Sequence, residues 1–260
     1  FEAARAVIER LEARYSRYRE DSITSRINAA AGKAAVEIDA EAAGLLDYAA
    51  QAWQHSDGLF DITSGVLRRA WDFRSGKLPA QEQIDALLPL VGWQQVEWNR
   101  PSIRLPRAGM EIDFGGYVKE YAADAAAQAC RGAGIKHGIV ELGGDVCIVG
   151  AHPDGSPWRV GVRHPRDPAN ALALIEMHEG AIASSGDYER SMTVNGLRYC
   201  HILNPQTGWP VRALAAVSVV APQCLVAGTA STIAMLKQDG AREWLDELGL
   251  PHLGITADGK

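Results

Sequence analysis

Two polar stretches carry most of the residue types that do chemistry: Ser184-Ser185-Gly186-Asp187-Tyr188-Glu189-Arg190 and His201-Ile202-Leu203-Asn204-Pro205-Gln206-Thr207-Gly208. Between them they combine turn-forming, hydroxyl and imidazole groups and read as loops too polar for a core, which marks them as a ligand site. Asn204-Pro205 is a strong turn signal. His201 runs into that turn from a strand, where an imidazole can act as a general base at neutral pH. A core histidine bonded to backbone is the equal alternative.

The segment from Asp113 to Asp124 offers different chemistry. It reads as a strand end, the pair Gly115-Gly116, and a helix start with Lys119 in its first turn. Glycines let backbone approach an anion, the unpaired N–H groups of a helix start point at it, and lysine adds a full charge. The spacing is not GxxxxGK[ST], so a mononucleotide P-loop is a weak reading, and a glycine-rich turn beside a solvated lysine is the simpler one. Gly143-Gly144, before Asp145, would also admit a ligand to the backbone, although such pairs more often mark bulges. Asp61 and Thr63 fall at a helix start, where capping is the plain role. Tyr18 has a ring that could stack on a planar ligand or pack at a rim, and Asn28 reads as a turn residue.

Other classes of site lack support. Apart from His201, the histidines show no HxxxH or HxH pairing. No GxSxG elbow or matched cysteine–histidine signature is present. The four cysteines, Cys130, Cys147, Cys200 and Cys224, are scattered and read as buried or incidental thiols. A net charge of -6 with interspersed signs argues against nucleic acid and for a small-molecule or protein partner. No run approaches the roughly 20 apolar residues of a membrane span. The chain opens on helix-like sequence with no signal-peptide pattern, as expected of a trimmed or mature chain.

The elements that must hold these residues follow from periodicity. Amphipathic helices fit Glu2 to Arg19 and Ala40 to His55, and a short one fits Pro79 to Leu88. Strand signals occupy Gln95 to Trp98, Ser102 to Leu105 and Glu111 to Phe114. An alanine-rich helix spans Tyr117 to Arg131, and a short strand spans Ile139 to Leu142. Strands then fit Val146 to Val149, Trp158 to Arg163, Leu172 to His178, Ser191 to Val194, Leu197 to Ile202 and Ala216 to Val220, with Asn195-Gly196 as a hairpin turn. Helices at Leu225 to Leu236 and Gly240 to Leu248 close the chain. Helices and hairpins come in blocks, which predicts an α+β fold of mixed, mainly antiparallel sheets with packed helices. With 47% hydrophobic residues, the 260-residue chain suffices for one domain or two interleaved lobes.

Taken in order, these pieces resemble the ApbE-type flavin transferases, the FAD:protein FMN transferase family, over nearly the whole chain. The resemblance rests on Ser16-Arg17-Tyr18 with Asp21-Ser22 and Ser25 to Asn28, on Gly58 to Gly65, and on Asp113 to Asp124. It continues through Gly143-Gly144-Asp145, Trp158 to Pro165, Ser184 to Tyr188, His201 to Gly208 and Val217 to Leu236. It implies an ApbE-like, T-fold-related architecture that binds FAD and magnesium. FMN would be transferred to a threonine or serine hydroxyl of an acceptor protein, with release of AMP. By the same resemblance Tyr18 stacks on the flavin, and Asp61, Thr63, Lys119, Asp124, Gly143, Gly144, Ser184, Ser185 and Gly186 contribute to the FAD site. Gly116 offers a carbonyl and Thr232 a hydroxyl to the metal, and His201 sits near the reacting phosphate. A periplasmic or membrane-anchored location is implied as well.

The departures from the family pattern bear on the metal. Gly228 stands where the family has a magnesium-ligating aspartate, Glu120 where it mostly has glycine, and Asn204 where aspartate is usual. Two expectations follow. Either Glu120 supplies the missing carboxylate to the catalytic site, or the magnesium site is lost and the chain is a non-catalytic FAD-binding or scaffold protein. A glutamate in a first helical turn can also simply favour the helix dipole, worth about a few tenths of a kcal/mol.

Overall fold

The computed structural model describes residues 1–167 and 169–260. In chain order its helices and strands are α1 (Glu2–Tyr15), α2 (Ile23–Ala29), β1 (Val36–Glu37), α3 (Ala40–His55), α4 (Gln81–Asp85), β2 (Glu97–Asn99), β3 (Ser102–Arg104) and α5 (Val118–Gly132). They continue as β4 (Gly138–Leu142), β5 (Asp145–Gly150), β6 (Trp158–Arg163), β7 (Ala171–Met177), β8 (Ala181–Gly186), β9 (Ser191–Val194) and β10 (Leu197–Cys200). The last are β11 (Leu214–Ala221), α6 (Cys224–Lys237), α7 (Ala241–Glu247) and β12 (His252–Thr256). Two compact units result. The first comprises Phe1–Glu12, Tyr117–Glu189 and Arg212–Lys260; the second comprises Ala13–Gly116 and Arg190–Val211.

The first unit is built on a five-stranded antiparallel sheet of order β12-β11-β8-β5-β4. One face is covered by α5 and α6, whose Ala123, Ala126, Ala127 and Ala227 pack on Val140, Cys147, Val149, Ala181 and Ala183. These small side chains bring helices and sheet close together. The other face is covered by the β6–β7 hairpin, with Val162 and Met177 packed on Val146, Ile148 and Ile182. Strand alternation then decides where the polar residues go. Asp145 is in phase with Cys147 and Val149, and Ser185 with Ala181 and Ala183, so both fall on the helix-covered face. Ser184 falls on the hairpin face, its hydroxyl 2.7 Å from that of Ser218.

The second unit holds α2, α3, α4, the small sheet β1-β3-β2 and the β9–β10 hairpin. The hairpin turns at Asn195-Gly196, whose φ values of 52° and 76° suit a two-residue turn. A cluster of Trp71, Ile84, Met192 and Tyr199 anchors it. The Trp71 indole donates to the Gly208 carbonyl at 2.8 Å and thereby ties down the loop after His201.

The α+β expectation matches the structure, and several local expectations do not. Ser184 to Gly186 is no loop but the end of β8, the central strand, paired there with Ala216 to Ser218 of β11, while β5 pairs with Ala181 and Ile182. Glu111 to Phe114 is not a strand. The Asn28 side-chain amide binds both backbone groups of Ile112, at 3.0 and 2.8 Å, and the Asp113 N–H goes to the Ile62 carbonyl. Asn28 itself is helical rather than a turn residue, within α2 and capped by Ser22. The first helix stops at Tyr15, where Ser16 forms a turn with its hydroxyl accepting from the Tyr18 N–H at 3.3 Å. The Pro79 to Leu88 helix shrinks to α4, started by the Gln83 side chain accepting from the Ala80 N–H. The strand carrying His201 ends one residue before it, and β12 adds an edge strand that the periodicity did not announce.

Candidate functional site

At the start of α5 in the first unit, one ammonium faces two carboxylates. Lys119 Nζ pairs with Asp145 and lies 3.5 Å from Glu120 Oε1. Asp145 is 2% exposed, and its second oxygen accepts from the Ser184 N–H at 3.1 Å. The Gly143-Gly144 pair is the turn of the β4–β5 hairpin, with φ of 60° and 93°, which accounts for both glycines. A Cβ on Gly143 would lie 3.7 Å from Lys119 Cδ, so this turn is the neighbour of the lysine stem. Flanking charges hold the Lys119 ammonium above its ordinary value although burial pulls it down.

Glu120 is buried at 7% exposure, and its Oε2 has no hydrogen-bond partner. Burial pushes its carboxyl up to about 7; Lys119 works against this shift and Asp145 adds to it. One turn of α6 lies alongside: a Cβ on Gly228 would stand 3.0 Å from Glu120 Cδ and 3.1 Å from Oε1. One helical turn further on, Thr232 shares a hydrogen bond with Ser185, whose hydroxyl lies 3.0 Å from Thr232 Oγ1 and 2.8 Å from Ser231 Oγ. Lys119, Glu120, Gly143, Ser185 and Thr232 therefore gather around the helix-covered end of the sheet. Gly186 is covered locally instead, because a Cβ there would enter the Tyr188 ring, over which the Arg163 guanidinium sits at 5.0 Å.

Asp124 has a defined structural task. Its two oxygens accept from the Cys224 and Leu225 N–H groups at 2.8 and 2.9 Å, capping an α6 whose first turn has no side-chain cap of its own. Asp124→Ala leaves those donors unpaired and is expected to lower stability by about 2 kcal/mol. Asp124→Asn, which keeps one acceptor oxygen, should lose less. Urea denaturation monitored by circular dichroism measures both, and a neutral Asp124→Ala would remove the capping role.

In the second unit, three sequence motifs converge on Asp113. Arg17 pairs with its carboxylate, the Gly115 N–H donates to it at 2.8 Å, and a Cβ on Gly65 would lie 2.8 Å from its Cβ. Arg17 also covers Tyr18, with its guanidinium carbon 4.8 Å from the ring centroid and an N–H 2.7 Å from the hydroxyl. Tyr18 remains 77% exposed. Although burial opposes it, hydrogen bonds and charge from Arg17 and Arg190 hold the phenol below its ordinary value. Gly116 ends a turn at Phe114–Gly116, and a Cβ there would only touch the Phe60 ring at 3.7 Å. His201 is exposed just beyond β10, its N–H bonded to the Arg190 carbonyl at 2.9 Å.

Asp61 and Thr63 act locally as a cap. Asp61 accepts from the Thr63 N–H and hydroxyl at 2.8 and 2.6 Å and from the Trp93 N–H at 2.8 Å, while Thr63 accepts from the Gly92 N–H at 2.7 Å. Burial raises the Asp61 carboxyl against these bonds. Thr63 is fully buried, so this pair shapes the Gly92-Trp93 loop rather than presenting oxygens at the surface.

Asp145 and Ser231 were not singled out from the sequence. For Asp145 the signal was available, since its phase with Cys147 and Val149 buries a carboxylate, and such a group demands a partner. Among the described residues no group of three or more His, Cys, Asp or Glu side chains is arranged for a metal. The residues do fit a hard cation that takes few protein ligands. The orphaned Glu120 oxygen and the Thr232 hydroxyl are donors of the kind magnesium accepts, with waters and phosphates completing its shell.

The structure is thus a mixed α+β fold with Lys119 at a helix start beside the buried carboxylates Asp145 and Glu120. The chain belongs to the ApbE family, whose model it matches over residues 1–253. The ApbE protein of Thermotoga maritima has a crystal structure that superposes with a TM-score of 0.91 at 32% identity, over 100% of this chain and 87% of that one. The flavinyl transferase ApbE of Pseudomonas stutzeri, in its apo form, gives a TM-score of 0.86 at 28% identity, over 98% and 81% of the two chains. An FAD:protein FMN transferase of Escherichia coli strain K12 is 29% identical over 255 residues, 94% of this chain and 73% of the relative.

Proposed function

We propose that this protein is a flavin transferase that moves FMN from FAD onto a threonine or serine hydroxyl of an acceptor protein. The relatives named for that activity support this reading. The observation that carries it in this chain is the Lys119 ammonium at the α5 start, held beside the β4–β5 glycine turn by Asp145. In the reaction the acceptor oxygen bonds to the FMN phosphorus, the pyrophosphate P–O bond breaks, and AMP departs with the bridging oxygen. Lys119 and the N–H groups at the α5 start offset the phosphate charge. The exposed Tyr18 ring stacks on the isoalloxazine, and His201 takes the hydroxyl proton. A divalent cation, to which Thr232 Oγ1 would be one ligand, would supply further neutralisation of the phosphate oxygens.

The test is incubation with FAD, magnesium and a candidate acceptor protein, read as covalent flavin fluorescence in a denaturing gel. A fluorescent acceptor band is expected. FAD binding without any transfer would instead favour a non-catalytic flavin-binding protein that has lost its magnesium site, and absence of FAD binding would sink both readings.

A further inference from the structure

We infer that Glu120 is the carboxylate ligand of a divalent-cation site in the first unit, and that residue 228 is glycine because the Glu120 side chain fills the space above it. The inference draws on the proposed transferase only for what the cation does, not for where it binds.

Three observations carry it. First, the two positions exclude each other sterically: a Cβ at 228 would come within 3.0 Å of Glu120 Cδ and closer still to Cγ. The obstacle is the stem of a side chain buried at 7% exposure, which cannot swing aside as a flexible tip would. Second, Glu120 Oε2 is buried without a hydrogen-bond partner. A carboxylate oxygen taken from water and left unmatched is costly, so its retention points to a partner that arrives from outside. Lys119 is not enough, because one ammonium spans both Asp145 and Glu120 and is drawn to Asp145. Third, Thr232 lies one helical turn after Gly228 on the same face of α6 and adds a hydroxyl oxygen to the same side. The helix-dipole role explains a glutamate in a first turn, but not one withdrawn from solvent. Carboxylate and hydroxyl donors in small number suit magnesium or manganese, which keep several waters.

Mn2+ serves as the probe, with free ion followed by electron paramagnetic resonance on the full chain, with and without FAD. The wild-type chain is expected to bind Mn2+, and the isosteric Glu120→Gln to bind it at least about tenfold more weakly. Gly228→Asp alone should lower the melting temperature through its clash with Glu120. The double variant Glu120→Gly, Gly228→Asp should recover both melting temperature and Mn2+ affinity. Wild-type affinity in Glu120→Gln, or no Mn2+ bound by the wild-type chain in either condition, overturns the inference. If the double variant fails to fold, Glu120→Gln decides alone. Flavin transfer by the wild-type chain together with undiminished Mn2+ affinity in Glu120→Gln would sink this inference while leaving the transferase reading intact. Weakened Mn2+ binding in that variant, with no transfer by the wild-type chain, would do the reverse.

Discussion

Lys119→Met is expected to reduce flavin transfer at least about 100-fold and also to destabilise the ligand-free protein. The two effects share one cause. Lys119 is the cation facing Asp145, a carboxylate at 2% exposure, and it is also the nearest cation to Glu120. Removing it leaves buried negative charge without a counter-ion, which typically costs about 3–5 kcal/mol when a fully buried pair is broken. The lysine side chain is 43% exposed, so solvent screens its attraction, and about 2 kcal/mol is the reasonable expectation.

The pH dependence of that loss gives the sharper test. Burial raises the Glu120 carboxyl, Lys119 pulls it down, and Asp145 pushes it up. A carboxyl raised in the folded chain holds its proton more tightly there than when unfolded. Stability from this group is therefore greatest at acid pH and falls as pH climbs from the ordinary carboxylate range through about 7. Without Lys119 the charged form is worse still, so the variant should lose more stability at pH 8 than at pH 5. Urea midpoints of the wild-type chain and Lys119→Met at both pH values measure this. An equal loss at the two would show that Lys119 does not compensate Glu120.

What the sequence revealed of this region, and what it hid, follows from the range of the interactions. The α5 start was legible because glycines, a first-turn lysine and an alanine face are local signals. β8 was not, since two serines and a glycine look like loop. A central strand accepts serines when their hydroxyls find partners, here Ser218 for Ser184 and Ser231 for Ser185. Glu111 to Phe114 failed for the opposite reason: its β-prone residues are real, but a side-chain amide from Asn28 replaces the neighbouring strand. The burial of Glu120 could not be read locally at all. It depends on the absent side chain of Gly228, on a helix distant in sequence, and only packing brings the two together.

His201→Asn should separate chemistry from structure most cleanly. His201 follows β10, and its N–H bond to the Arg190 carbonyl is a backbone contact that any residue can make. The loop beyond it is braced independently: Asn204 accepts from the Gly208 N–H through its carbonyl and from the Gln206 N–H through its side chain, both at 2.8 Å, and Trp71 holds the Gly208 carbonyl. With the loop braced in this way, the stability change should stay on the order of 1 kcal/mol or less. FAD affinity should also persist, because the acceptor proton is not involved in holding FAD. Transfer, by contrast, should fall about 100- to 10,000-fold if the imidazole removes that proton. The fall of the rate toward acid pH, which follows protonation of a catalytic imidazole, should disappear with it. A histidine kept for structure would give the opposite pattern, with a lowered unfolding midpoint and an unchanged pH profile. Wild-type transfer by His201→Asn would place the base elsewhere in the protein.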